Sequence, residues 1–171
     1  RTHFLLCSTS FLIFTILLSH PPAYISLRIT VFDSSASSLK LTFANINGFS
    51  SLRDKRRDVF GFLRQHHKSD IYRFIDTRLQ KRQSKSIGLE WGGEIRYSNN
   101  SAQASRGVMV AFDRSFNKSK IGRTISFDHG NLLLQEFTHT GKSFLLITMY
   151  GPNDDNPRFY EDIKESVNKF L

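Results

Sequence analysis

Two hydrophobic periodicities follow one another from Leu39 onward and predict strands and helices. Apolar and polar residues alternate over Leu39–Ala44, which predicts a strand with one buried face. Apolar residues three and four positions apart over Arg53–His67, with basic residues between them, predict an amphipathic helix. Asp70–Asp76 predicts a second strand, and further strands are predicted over Gly92–Tyr97, Gly107–Phe112, Ile121–Phe127, Leu132–Phe137 and Phe144–Met149.

The order of these elements excludes one common class of α/β fold. One long helix separates the first two strands, several strands follow, and a last helix is predicted with Asn156 as its cap and Pro157 at its first position. Doubly wound nucleotide-binding folds alternate strands and helices regularly, which this chain does not. We therefore predict an α/β sandwich with a mixed, mostly antiparallel sheet and flanking helices.

The first 38 residues differ from the rest of the chain. Residues 2–27 contain no Asp, Glu, Lys or Arg, and Phe11–Leu18 reads FLIFTILL. This run is shorter than a membrane span but matches the apolar part of a signal peptide; a buried strand or an extension without function is the alternative. Ile25–Phe32 predicts a short strand. Because Asp33–Ser38 is polar and small, we place a boundary there, between a leader over 1–38 and a domain over 39–171.

Positive charge is concentrated in one part of the chain. The formal net charge is +9 at pH 7, and eleven basic and four acidic residues fall between Arg53 and Lys85. We call this stretch the basic segment. A local positive field attracts polyanions such as nucleic acids, although a solvated helix face gives the same pattern. We predict that Arg56 and Arg57 contact a nucleic-acid backbone. A single cysteine, Cys7, excludes an internal disulfide and a cysteine zinc site.

Polar side chains stand where three apolar strands end. Asn45 and Asn47 follow the first strand, Asp76 the second, and Tyr150 and Asn153 the last. Asparagine and carboxylate oxygens are ligands that Mg²⁺ accepts, and phenol and amide groups hydrogen-bond phosphate oxygens. Taken singly, each segment also fits a purely structural role, as an ordinary turn, a strand cap or a proline turn.

Four ordered segments together resemble a known family. LTFANINGFSS, IYRFIDTRL, SRGVMVAFD and LLITMYGPNDDNPRFYEDI are similar to the first half of the endonuclease/exonuclease/phosphatase superfamily, and most of all to the apurinic-type endonuclease domain of non-LTR (LINE-type) retrotransposons. The resemblance covers 39–171. It implies an incomplete domain of that type, Mg²⁺- or Mn²⁺-dependent hydrolysis of a DNA phosphodiester, no small-molecule cofactor, and a reverse transcriptase domain as a partner in a longer polyprotein.

The resemblance also implies a role for each strand-end residue. Asn45 would lie near the metal and the scissile phosphate, Asp76 would bind the metal, and Tyr150 would contact the phosphate, while Asn47 and Asn153 would help to hold the DNA backbone. Two departures stand out. Asp76 replaces the family's glutamate, and Arg73 lies in a strand that is usually apolar, so either it faces solvent or the strand is damaged.

The catalytic segments that the family carries further along are not present in these 171 residues. We therefore expect this chain to be inactive, and we expect the Asp128–His129 turn to be structural. Two alternatives stay open, a non-catalytic nucleic-acid-binding half-domain derived from a retroelement and a secreted nuclease with a cleaved leader. The endonuclease that the resemblance implies would lie inside the cell, in the nucleus if functional. The apolar leader keeps secretion or membrane anchoring as the alternative.

Overall fold

The computed structural model describes residues 5–6, 17–19, 25–32, 38–49, 53–100, 105–127, 129–151 and 157–170. These residues form two β-sheets, three α-helices and two short 3-10 helices. Among them, no helix combines the length and the apolar character needed to cross a membrane.

The two sheets differ in strand direction. The larger sheet is mixed, and its described strands lie in the order β2 (Leu17–Ser19), β3 (Ile25–Phe32), β4 (Ser38–Asn45), β5 (Ile71–Ile75), β7 (Val108–Phe112) and β6 (Ile95–Ser98). Within it only β4 and β5 are parallel. The smaller sheet is antiparallel throughout its described strands, in the order β1 (Leu5–Leu6), β10 (Lys142–Met149), β9 (Leu132–His139) and β8 (Ile121–Ser126).

The parallel pair of strands decides where polar side chains meet. Helix α1 (Arg53–His66) connects β4 to β5. It forms the crossover that two parallel neighbouring strands require. The register pairs Asn45 with Ile75, so both strands end at the same side of the sheet. We call this side the β4/β5 edge. The residues that follow the two strands therefore emerge next to one another.

Helices cover the outer face of each sheet, which gives four layers in the order helix, sheet, sheet, helix. Helix α1 and helix α2 (Ser84–Trp91) pack on the larger sheet around a buried aromatic group, and helix α3 (Pro157–Phe170) packs on the smaller sheet. Aliphatic and aromatic side chains from both sheets fill the layer between them, among them Leu41, Ile71, Val110, Leu133, Phe137 and Leu146. This is the predicted α/β sandwich with a mixed sheet and flanking helices, so the predicted fold class is confirmed.

Arg73 corrects an expectation about β5. The side chain does not face solvent: Arg73 is 3% exposed and lies on the inter-sheet face of its strand. Its Nη2 donates to the carbonyl oxygen of Met149 at 3.4 Å, and its guanidinium carbon lies 5.3 Å from the ring centroid of Phe43. Nor is the strand damaged, since all five residues of β5 pair with both neighbours. Burial lowers the pKa of Arg73 to about 9, so Arg73 is a buried cation at neutral pH.

Most predicted elements are present, with one omission. The sequence did not predict α2. Among its residues 85–91, only Ile87 and Trp91 are fully buried, and Gly88 interrupts the apolar pattern. The strand predicted from Gly92 consequently begins at Ile95. The predicted boundary falls largely on residues 33–37, which lie outside the described residues, but β3 on one side of it pairs with β4 over eight residues.

Candidate functional site

Asn45 and Asn47 stand at the end of β4. Asn45 is the last residue of the strand, and its Oδ1 accepts a hydrogen bond from the backbone N–H of Asn47 at 3.2 Å. This contact turns the chain sharply, as asparagine side chains do in turns. Asn47 and Gly48 then adopt left-handed backbone conformations, with φ of 49° and 86°. Asn45 is half-buried and Asn47 exposed, so both amides are placed at the β4/β5 edge.

Asp76 and Arg78 form an ion pair directly after β5. Arg78 Nε lies 3.0 Å from Asp76 Oδ1, and Arg78 Nη2 lies 2.9 Å from Asp76 Oδ2. Both residues have left-handed backbones, with φ of 55° and 52°, which lets side chains two positions apart meet. Charge-assisted pairs with this two-bond geometry are the strong ones. Hydrogen bonding to Asp76 raises the pKa of Arg78, and the phenol of Tyr150 acts in the same direction.

The two strand ends are joined to each other through side chains and backbone. Arg78 Nη2 also donates to Oδ1 of Asn47, at 2.9 Å. The backbone N–H of Gly48 donates to the carbonyl of Asp76 at 2.7 Å, and that of Phe49 to the carbonyl of Thr77 at 2.8 Å. The structure therefore brings the predicted residues Asn47 and Asp76 into one cluster, with Asn45 beside it. Arg78 completes the cluster, and the sequence did not single it out.

Tyr150 reaches the same region from the smaller sheet. It follows β10 directly, and its backbone N–H donates to the carbonyl of Asn131 at 2.8 Å. Its half-buried ring packs against the apolar layer between the sheets, of which Ile75 at the end of β5 is also a part. Arg73 Nη2 on β5 donates to the carbonyl of Met149, the residue before Tyr150, so the end of β10 lies beside β5. The fifth predicted strand-end residue, Asn153, lies outside the described residues.

Two further loops frame this cluster. The backbone N–H groups of Thr77 and Arg78 donate to the carbonyls of Gly107 and Arg106, at 3.0 and 2.6 Å. The N–H of Gly107 in turn donates to the carbonyl of Gly130 at 2.9 Å. Gly107 has φ of 92°, and a Cβ built on it would lie 2.4 Å from Thr77 Oγ1, so only glycine fits. The turn after His129 thus holds the framework through its backbone.

Positive side chains lie around the cluster. Of the two arginines predicted to contact a nucleic-acid backbone, only one is exposed. Lys55 Nζ donates to the carbonyl of Gly48 at 3.3 Å, and Arg106 is exposed beside Arg78. Arg57 is exposed on α1, with 74% of its side chain accessible, and its contact with nucleic acid stays a prediction. Arg56 is not exposed, because its guanidinium is bonded to Glu90 and only 7% of its side chain is accessible. The prediction that Arg56 contacts DNA therefore concerns a side chain that the fold buries.

The oxygens at this edge are already engaged in hydrogen bonds, which limits their use as ligands for Mg²⁺ or Mn²⁺. Such ions take several oxygen ligands in a regular geometry. Both oxygens of Asp76 accept bonds from Arg78, and Oδ1 of Asn47 and of Asn45 each accept one as well. The described residues contain no group of three or more His, Cys, Asp or Glu side chains that could hold a metal. As arranged, these donors do not fit a divalent ion, and the metal role of Asp76 and Asn45 stays a prediction.

The layered fold that carries this cluster is AP endonuclease-like. A comparison with solved structures shows it: the chain is similar to the AP endonuclease LMAP from Leishmania major, with a TM-score of 0.53 and 12% sequence identity. The similarity covers 70% of this chain and 42% of that one, so the chain spans less than half the length of the endonuclease. No protein-family model and no curated protein matches the chain.

Proposed function

We propose that this chain is part of a DNA-processing domain of the endonuclease/exonuclease/phosphatase type, and that its β4/β5 edge binds the phosphodiester backbone of DNA. The observation that carries the proposal is the cluster of Asn47, Asp76 and Arg78, joined by hydrogen bonds in an AP endonuclease-like fold. Asn45 adjoins this cluster through its bond to Asn47, and Tyr150 packs on the same inter-sheet layer as Ile75. These side chains come from two sheets and from distant parts of the chain.

The charges at this edge suit a phosphodiester, which carries one negative charge. Arg78 neutralises Asp76, whose side chain is only 8% exposed, so the accessible charge of the pair is that of the guanidinium. The cations of Lys55 and Arg106 add to it. The amide N–H groups of Asn45 and Asn47 and the hydroxyl of Tyr150 supply neutral donors for phosphate oxygens. Positive charge with polar donors is the usual composition of a DNA-backbone contact.

We propose binding without strand cleavage for these 171 residues. Hydrolysis needs a group that activates water, and the carboxylate in the described cluster, Asp76, is held in an ion pair. The proposed origin in a LINE-type element, and a reverse transcriptase partner, rest on the order of the four sequence segments and on nothing else.

Two measurements on the full chain test this proposal. Fluorescence anisotropy with a short labelled DNA duplex should show binding that weakens steeply with added salt. Tyr150→Phe should weaken binding about fivefold, as expected for one lost hydrogen bond of ~1 kcal/mol, whereas Tyr160→Phe on the exposed face of α3 should not.

The second measurement is conversion of supercoiled plasmid to nicked circles in the presence of Mg²⁺. We expect the plasmid to stay supercoiled. Nicking that Asp76→Asn removes would contradict the non-cleaving part of the proposal. Equal DNA affinity of the Tyr150→Phe and Tyr160→Phe variants would contradict the location of the binding site.

A further inference from the structure

We infer that the guanidinium of Arg78 takes the place of a divalent cation at the β4/β5 edge, so that Asp76 binds no Mg²⁺ or Mn²⁺ and the phosphate contact needs no metal. The part of this inference that concerns the metal stands on the contacts of Asp76 alone. The part that concerns the phosphate rests on the proposed function.

The first argument is that the oxygens a metal would use are already bonded. Arg78 spans both carboxylate oxygens of Asp76, at 3.0 and 2.9 Å, and reaches Oδ1 of Asn47 at 2.9 Å. A cation bridging a carboxylate and a neighbouring amide is the arrangement a metal ion would make with the same side chains. Here the bridging cation belongs to the chain.

The second argument is that backbone hydrogen bonds fix the positions of both residues of the ion pair. The backbone of Asp76 is fixed by the N–H of Gly48, which donates to its carbonyl, and the backbone of Arg78 by its own N–H, which donates to Arg106. Asp76 is 5% exposed, so solvent does not compete effectively for its carboxylate. A metal ion entering this position has to displace two charge-assisted bonds to a carboxylate whose backbone is fixed by the turn.

The third argument concerns charge. One guanidinium neutralises one carboxylate, whereas a dipositive ion on Asp76 beside Arg78 would leave two uncompensated positive charges. Additional acidic ligands would correct this excess, but the described residues provide no group of three or more His, Cys, Asp or Glu side chains around a common point. Like charges this close repel each other, and the burial of the Asp76 carboxylate reduces screening by solvent on that side.

The outer side of the guanidinium remains available for a phosphate. The bonds to Asp76 and Asn47 use Nε and Nη2, and within the described part of the chain Nη1 has no acceptor for its two N–H groups. The side chain is 47% exposed. Arginine has five N–H donors in a planar fork and binds phosphate oxygens with two of them. Arg78 can therefore bridge Asp76 and a phosphate, as a metal ion would.

Manganese titration followed by electron paramagnetic resonance tests the first part without DNA. Wild type and Asp76→Asn should give the same Mn²⁺ binding curve. Arg78→Gln should create a site with at least about tenfold higher affinity, because the metal no longer displaces two charge-assisted bonds, and Asp76→Asn in that background should remove it. A wild-type Mn²⁺ site that Asp76→Asn abolishes, or an Arg78→Gln variant that gains none, would overturn the inference.

DNA anisotropy tests the second part. At matched ionic strength, wild-type affinity should be equal in EDTA and in Mg²⁺. Arg78→Gln should weaken binding about tenfold and Lys85→Gln, an exposed lysine on α2, by less than twofold. Wild-type binding that requires Mg²⁺, or Arg78→Gln binding as well as Lys85→Gln, would overturn this part. If the chain binds no DNA at all, the proposed function fails while the Mn²⁺ result still decides the first part.

Discussion

Arg56 on α1 and Glu90 on α2 form an ion pair with two hydrogen bonds, from Nε at 2.9 Å and from Nη2 at 2.8 Å. The two side chains are 7% and 13% exposed, and hydrogen bonding to Glu90 raises the pKa of Arg56. The pair links the two helices that cover the larger sheet. Two basic neighbours in the sequence, Arg56 and Arg57, therefore differ in kind, since one holds the fold together and the other faces solvent.

Arg56→Met should lower the free energy of unfolding by about 2–4 kcal/mol, because it leaves a largely buried Glu90 without the guanidinium. Combining it with Glu90→Met should recover most of this loss, since methionine retains volume and removes both charges. Urea unfolding measures the three variants. Arg57→Met is the control and should change stability by less than about 0.5 kcal/mol. An equal loss in both arginine variants would contradict the structural role of the pair.

DNA binding should separate the same two arginines in the opposite way. Arg57→Gln should reduce the slope of log affinity against log salt concentration by about one, as expected when one phosphate contact is lost. Arg56→Gln should leave this slope unchanged at temperatures where the variant is folded. Anisotropy titrations at several salt concentrations measure both slopes. An unchanged slope in Arg57→Gln would mean that this part of the basic segment is only a solvated face.

Gly107→Ala should unfold the framework of the candidate site. The new Cβ would lie 2.4 Å from Thr77 Oγ1 on a backbone with φ of 92°, so we expect a loss of about 2–4 kcal/mol. Gly141→Ala is the matched control, because Gly141 also has a left-handed backbone, with φ of 77°, but nothing within 4 Å. Its loss should be about 1 kcal/mol. Equal losses by thermal unfolding would show that the contact with Thr77 does not matter.

Arg73→Met should stabilise the chain by about 1–3 kcal/mol at pH 7, because it removes a desolvated cation from the inter-sheet layer while retaining volume. Arg73→Ala should instead destabilise it through a cavity. Since folding lowers the pKa of Arg73 to about 9, its cost to stability is constant below pH 9 and decreases as the pH rises above it. The advantage of Arg73→Met should therefore shrink by about 1.4 kcal/mol per unit above pH 9. A difference independent of pH would contradict the titration of Arg73.

The sequence predicted the strand-end residues because simple rules govern them. Apolar alternation locates β4, and a short, mainly apolar run between two aspartates locates β5. A polar residue that follows a strand lies at its end, so Asn45 and Asp76 could be named in advance. Arg78 could not, because its bond to Asp76 depends on left-handed conformations that residues other than glycine seldom adopt. The burial of Arg56 could not be predicted, because its partner Glu90 lies on α2, whose weak periodicity hid that helix. Tertiary partners decide whether a charged residue is buried, and local patterns do not contain them.

A series of backbone hydrogen bonds links the loops around the β4/β5 edge. The N–H of Gly48 donates to Asp76, that of Thr77 to Gly107, and that of Gly107 to Gly130. The N–H of Tyr150 donates to Asn131, in the same turn as Gly130. Displacing any one of these loops breaks its hydrogen bond to the next loop. Hydrogen–deuterium exchange should therefore find the amide protons of Gly48, Thr77, Gly107 and Tyr150 opening as one cooperative unit. If this edge binds DNA as proposed, its contact groups would be formed or lost together, not one at a time.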